Sequence, residues 1–110
     1  MEVKFTARRF RAHPDVKLHA LDEVKKLSKF YDGIVNADII LSYERVTKSV
    51  KTAEVNLHVY GVVLTAREKS DNFIKSIDAA VGKLELQLTR YKSRMHAKDK
   101  KMVRALNAKV

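Results

Sequence analysis

The sequence predicts an α+β fold: a β-α-β-β-β-α two-layer sandwich, with a four-stranded sheet carrying two helices on one face. Three observations lead there. The opening residues alternate apolar and polar, the signature of a half-buried strand. From Asp71 to Arg94 the apolar residues instead step by three and four, which is helical spacing. Three further alternating runs lie between two helical stretches, and their connections are too short for crossovers, so they form an antiparallel meander. At 110 residues the chain is one domain, long enough to bury about two-thirds of its unfolded surface.

The first strand covers Glu2 to Arg8, with Val3, Phe5 and Ala7 on one side and Glu2, Lys4, Thr6 and Arg8 on the other. Arg8, Arg9 and Arg11 follow where the strand hands over to a loop. Pro14 suits a first helical turn, Asp15 suits the positive end of the helix dipole, and His13 takes the cap. This helix runs from Pro14 to about Tyr31, buries Ala20, Leu21, Val24, Leu27 and Tyr31, and ends at Asp32-Gly33. Its outer face mixes Lys25, Lys26 and Lys29 with Asp22 and Glu23, which is the pattern of a solvated surface.

The second strand places Ala37, Ile39, Leu41 and Tyr43 inward, and the third Ala53, Val55, Leu57 and Val59. The polar span Arg45 to Lys51 joins them. Gly61 marks the tight turn into the last strand, Val62, Leu64 and Ala66. Glu68 to Asp71 connects to the long helix, which Ser70 or Asp71 should cap. The strand–helix–strand opening permits parallel pairing of the first two strands.

The long helix carries the most information. Ile74, Ile77, Val81, Leu84, Leu88, Tyr91 and Met95 fall within an arc of about 100°, the width of a core-facing stripe. Lys83, Gln87, Arg90, Arg94 and Lys98 gather on one flank, while Asp78 and Glu85 point to the other. A merely solvated face would mix the signs so that opposite charges lie four apart. The segregation instead marks one edge of an anion-binding surface. Residues 1–97 are expected to form the domain, and 98–110 a basic, flexible tail that orders on binding.

Charge separates the possible functions. Twenty-three Lys and Arg against thirteen Asp and Glu give +10, and Arg90 to Val110 alone carries eight cations and one acid. Such an excess favours polyanions, of which nucleic acid is the commonest in a cytoplasm. Cysteine is absent, which excludes thiol catalysis and Cys-ligated zinc. Neither an export signal nor a membrane span is expected, since no apolar run is long enough for either.

His13, His19, His58 and His96 lack ligand spacing, and Gly33, Gly61 and Gly82 make no phosphate-cradling loop. Glu44 and Glu54, if they meet across strands, form a solvated rim rather than an acid/base pair. No enzyme activity, cofactor or metal is expected. Phe5, Tyr31, Tyr43, Phe73 and Tyr91 fall on core stripes, leaving Phe10, Phe30 and Tyr60 as candidates to stack on bases. Phosphate contacts from Lys83, Arg90, Lys92, Arg94 and Lys98, joined by Arg8 and Arg9, should dominate and weaken steeply with salt.

Several stretches resemble the short ribosome hibernation promoting factors, the family that includes the ribosome-associated inhibitor protein Y. The long helix carries Asp71-x-Phe73-x-x-Ser76-Ile77-Asp78 and then Lys83-Leu84-x-x-Gln87-Leu88-x-Arg90-x-Lys92. The first helix carries Lys26-Leu27-x-x-Phe30-Tyr31-Asp32, and the third strand carries Ala53 to Gly61. The resemblance covers residues 2 to 95 and implies a fold similar to double-stranded RNA-binding domains.

It also implies binding of ribosomal RNA in the small subunit near the decoding centre, occlusion of the messenger and tRNA sites, and silencing of translation under stress. The absence of cysteine and of an export signal leads to the expectation of a cytoplasmic protein, and it is expected to be a monomer off the ribosome. Lys83, Arg90, Lys92 and Arg94 would then face ribosomal RNA, with Lys26 a weaker candidate. Three positions depart from the family pattern: Gly82, where members often carry an acid, Leu86, where they carry a polar or basic residue, and His13, in place of a Thr or Ser cap. Two other readings compete. One is a generic structured-RNA binder; the other is a protein adaptor using Ile40, Val63 and Leu86.

Overall fold

The computed structural model describes the backbone of residues 1–44, 46 and 49–108, and side chains as far as residue 95. Strand β1 (Glu2–Ala7) is followed by α1 (Pro14–Lys26), a 3-10 turn (Leu27–Lys29), β2 (Ile34–Tyr43), β3 (Lys51–Val59), β4 (Val62–Ser70) and α2 (Phe73–Ala108). The sheet order is β1-β2-β3-β4, with β1 parallel to β2 and the later pairs antiparallel. The α1 crossover supplies the length that parallel pairing requires, and the short β2–β3 and β3–β4 connections impose the meander.

Cross-strand register aligns the apolar residues in rows. Phe5 lies opposite Ile39, Ile39 opposite Val55 and Val55 opposite Ala66, with Ala37, Leu57 and Leu64 in the next row. Because side chains alternate between faces, one register puts every one of these residues under the helices. They pack with Ala20, Val24 and Leu27 from the first helical segment and with Phe73, Ile77, Ala80, Val81, Leu84, Leu88 and Tyr91 of α2. The opposite face of the sheet is polar: Thr65 donates to Asn56 at 2.8 Å, and Asp38 pairs with His58 at 3.2 Å.

Four boundaries differ from the sequence expectation, each for a local reason. The first helix ends at Lys26, because the Ser28 hydroxyl bonds to the Lys25 carbonyl and Phe30 N–H to Leu27, tightening the chain into a 3-10 turn. Beyond it the Tyr31 ring folds back across Gly33, where a Cβ would lie 2.5 Å from the ring. Strand β4 continues to Ser70, paired with Lys51, instead of yielding to a loop at Glu68. That shift moves the cap of α2 to Asn72, whose Oδ1 accepts the Ile74 N–H at 2.7 Å; neither Ser70 nor Asp71 takes this place.

The fourth difference is the largest. The backbone stays helical to Ala108, through the segment after Lys98 that was expected as a tail. Neither Gly nor Pro interrupts the chain after Gly82. Once the packed part of α2 exists, extension needs only propagation through good helix formers. Charged residues such as Asp99, Lys100 and Lys101 do not break a helix.

His13 does cap α1, its Nδ1 accepting the Asp15 N–H at 3.1 Å. Gly82 sits inside α2 with nothing within 4 Å of a Cβ built on it. Gly82→Ala is therefore expected to stabilise the fold by about 0.5–1 kcal/mol, read as a higher urea midpoint with an unchanged slope.

Candidate nucleic-acid interface

The orientation of α2 decides where its charges lie. The Gln87 side-chain amide donates to the Thr65 carbonyl at 3.0 Å, and Lys83 forms an ion pair with Glu68, so this flank of the helix lies over β4. On the other flank Asp78 accepts from His19 of α1 at 2.6 Å. The buried stripe takes in Phe73, Ser76 and Ala80, while Ile74 stays partly exposed, so the helix is rolled slightly towards β4 from the expected setting. Ser76 is wholly buried because its hydroxyl donates to the Lys51 carbonyl at 2.7 Å.

Arg90 and Arg94 are exposed, one turn apart on the β4 flank, and neither has an acidic partner among the described residues. Arg94 borders a recess of about 230 Å³ with Val62, Leu64, Tyr91 and Met95. Lys92, also exposed, lies on the flank facing the 3-10 turn. Between the two flanks the outward residues Leu86, Thr89 and Ser93 are exposed and uncharged. The unpaired cations of α2 thus lie on both flanks of a neutral crest, Arg90 and Arg94 on one and Lys92 alone on the other, where the sequence had suggested one edge.

The remaining candidates are tied to acids or lie elsewhere on the domain. Lys83 is neutralised locally by Glu68. Lys26 is held by Glu23 at 2.8 Å, and that hydrogen bond, reinforced by the carboxylate charge, raises the lysine's pKa. Arg8 and Arg9 lie at the other end of the domain. The next residue, Phe10, stacks on Phe73 at 5.2 Å near the start of α2, whereas Tyr91, beside Arg90, donates to the Tyr60 carbonyl halfway along it. At 1.5 Å per residue those two landmarks are about 27 Å apart. The Lys98 side chain lies outside the described residues.

Arg9 has φ 62°, a left-handed conformation that non-glycine residues seldom adopt. This reversal returns Phe10 to the core between Tyr43 and Phe73, which removes it from the stacking candidates. Phe30 and Tyr60 stay exposed. Sequence reasoning missed Lys29, which lines the same cleft as Phe30 and Lys92. Its signal was hidden in the mixed charges of the first helix, and the 3-10 turn is what directs it to α2.

Other groupings dissolve. Glu44 pairs with Lys69 at 3.4 Å, and Glu54 accepts from Asn56 at 3.4 Å, so the two carboxylates do not meet. Ile40 is half-buried on the open sheet face, while Leu86, 60% exposed, lies across the domain on α2, so they form no common apolar patch. Among the described residues no group of three or more His, Cys, Asp or Glu could hold a metal ion, and no helix is long and apolar enough to cross a membrane.

Residues 3–96 match the family described as sigma 54 modulation protein / S30EA ribosomal protein. The chain belongs to this family. It is 30% identical over 95 residues to a ribosome hibernation promoting factor of Klebsiella oxytoca, covering 86% of this chain and 97% of that one. To a ribosome hibernation promotion factor of Staphylococcus aureus (strain COL) it is 26% identical over 99 residues, covering 84% of this chain. It spans about half of that longer relative, 52%.

Among solved structures, a ribosomal subunit interface protein from Coxiella burnetii superposes with TM-score 0.76 and 26% identity, over 84% of this chain and 99% of that one. The N-terminal domain of Thermus thermophilus protein Y gives TM-score 0.72 at 24% identity, over 83% and 99%, a likeness of fold. The matched family region ends at residue 96, so the last turns of α2 extend beyond it.

Proposed function

We propose that this protein is a ribosome hibernation factor. It binds the small ribosomal subunit near the decoding centre, occupies the path of messenger RNA and of the A- and P-site tRNAs, and silences translation under stress. Occlusion suffices for this; no bond is made or broken. The protein acts in the cytoplasm and is a monomer off the ribosome.

One observation carries the reading most directly. Arg90 and Arg94 project from one flank of α2 and Lys92 from the other, exposed and without acidic partners among the described residues, across a neutral crest. A phosphate backbone laid along that crest would meet cations from both sides. Contacts of this kind are strongly salt-dependent. Membership in the family and the names of its hibernation-factor relatives support the ribosome as the polyanion.

Pelleting with isolated small subunits tests it. The protein should co-sediment at low salt, and messenger RNA together with tRNA should displace it. If it instead resists displacement and prefers free duplex RNA, the generic structured-RNA reading replaces this one.

A further inference from the structure

Behind the 3-10 turn a cleft of about 470 Å³ opens between the first helical segment and α2, lined by Ser28, Lys29, Phe30, Tyr31, Asp32, Lys92 and Met95. Its volume falls within the range of small-ligand sites, roughly 300–1,000 Å³. Adjacent aromatics here do opposite things. Tyr31 packs edge-on against Tyr91 at 5.4 Å and lies over Gly33, which pins the backbone. Phe30, the residue before it, is left 40% exposed in the cleft. Its ring leaves an apolar face open to a partner at the wall of the cleft.

Charge narrows what that partner is. Lys29 and Lys92 come to the cleft from different elements, are exposed, and have no ion-pair partner among the described residues. Two cations from different elements and an exposed aromatic ring lining one cleft suit the phosphates and the base of a nucleic-acid strand. Duplex RNA keeps its bases stacked inside, so only an unpaired nucleotide offers the face. Asp32 adds an acceptor suited to a base amino group or a ribose 2′-hydroxyl.

We propose that this cleft binds one unstacked nucleotide of an RNA strand, its base on Phe30 and its flanking phosphates on Lys29 and Lys92. The inference rests on the RNA-binding reading above and adds a readout for single-stranded RNA to it. It also gives the first helical segment a part in recognition that its mixed charges conceal.

The chain has no tryptophan, so Phe30→Trp introduces a single tryptophan, selectively excited apart from the tyrosines, into the cleft. Titrating this variant with a short single-stranded RNA, and separately with small subunits, should quench its emission. Phe30→Ala and Phe30→Leu should each weaken small-subunit binding roughly 5- to 150-fold, the range carried by base–aromatic stacking, with the salt slope unchanged. Lys29→Ala and Lys92→Ala should each reduce that slope by about 0.7.

Wild-type affinity in Phe30→Leu would reassign the ring to packing and overturn the proposal. So would quenching by free mononucleotide alone, which assigns the cleft to a small ligand. The two readings fail separately. A wild-type protein that never pellets with small subunits sinks the ribosome assignment, while quenching by the oligonucleotide would still uphold the cleft.

Discussion

Reversing Arg90 and Arg94 together (R90E/R94E) is expected to lower small-subunit affinity by at least about 100-fold, since each lost hydrogen bond to a charged group is worth about 1.5–3 kcal/mol. The reasoning starts from their surroundings: both are exposed on the β4 flank of α2, with no acidic partner to give up on binding. The salt slope should also become shallower by about 1.4 to 1.8, between the single-strand and duplex values for two phosphates. Stability should move by no more than about 0.5 kcal/mol, as for other surface changes.

Lys83→Met provides the contrast. Glu68 already compensates that lysine, so its loss should cost less than tenfold in binding. Co-sedimentation across a salt series measures both variants. Unchanged pelleting by the double variant would remove the α2 flank from the interface.

Leu84→Ala is expected to cost about 3–5 kcal/mol. Leu84 is fully buried within the core of both layers, where truncation leaves a cavity that close-packed neighbours fill only in part. Against a typical domain stability of about 5–15 kcal/mol this is a large fraction. The melting midpoint should drop by roughly 15–30 °C. Urea denaturation gives the difference directly. A loss under about 1 kcal/mol would mean that α2 does not close the core at this position.

The two experiments probe different levels of the same helix, and those levels were unequally legible. Periodicity alone places Leu84, Leu88 and Tyr91 inward and Arg90 and Arg94 outward, because that arrangement follows from the helical repeat and from the cost of leaving apolar area wet. The element order, the meander and the inward residues of β2 and β3 were readable for the same reason. Caps and ends were less so. Asn72 caps α2 only because β4 remains paired to Ser70, a contact with a strand far earlier in the chain.

Function was legible to a similar depth. The segregated cations of α2 and the motifs around Asp71, Lys83 and Lys26 point to the family that the comparison over residues 3–96 establishes. The state of each cation was not readable. Lys83 and Arg90 look equivalent on a helical wheel, yet one faces Glu68 and the other faces solvent. Phe10 and Phe30 both stood as unassigned aromatics, until the left-handed Arg9 turned the first inward and the Tyr31–Tyr91 contact left the second outside.

By itself, the amino-acid sequence determined the strands and helices, the face each one buries, and the excess of positive charge on α2. These depend on spacing of three, four or two residues, which any local window contains. Only the tertiary structure decided which cations stand free of acidic partners, that they lie on both flanks of α2, and that Lys29, Phe30 and Lys92 share a cleft. Those outcomes depend on how distant segments lie against one another, and a short range of residues holds no record of what will pack beside it.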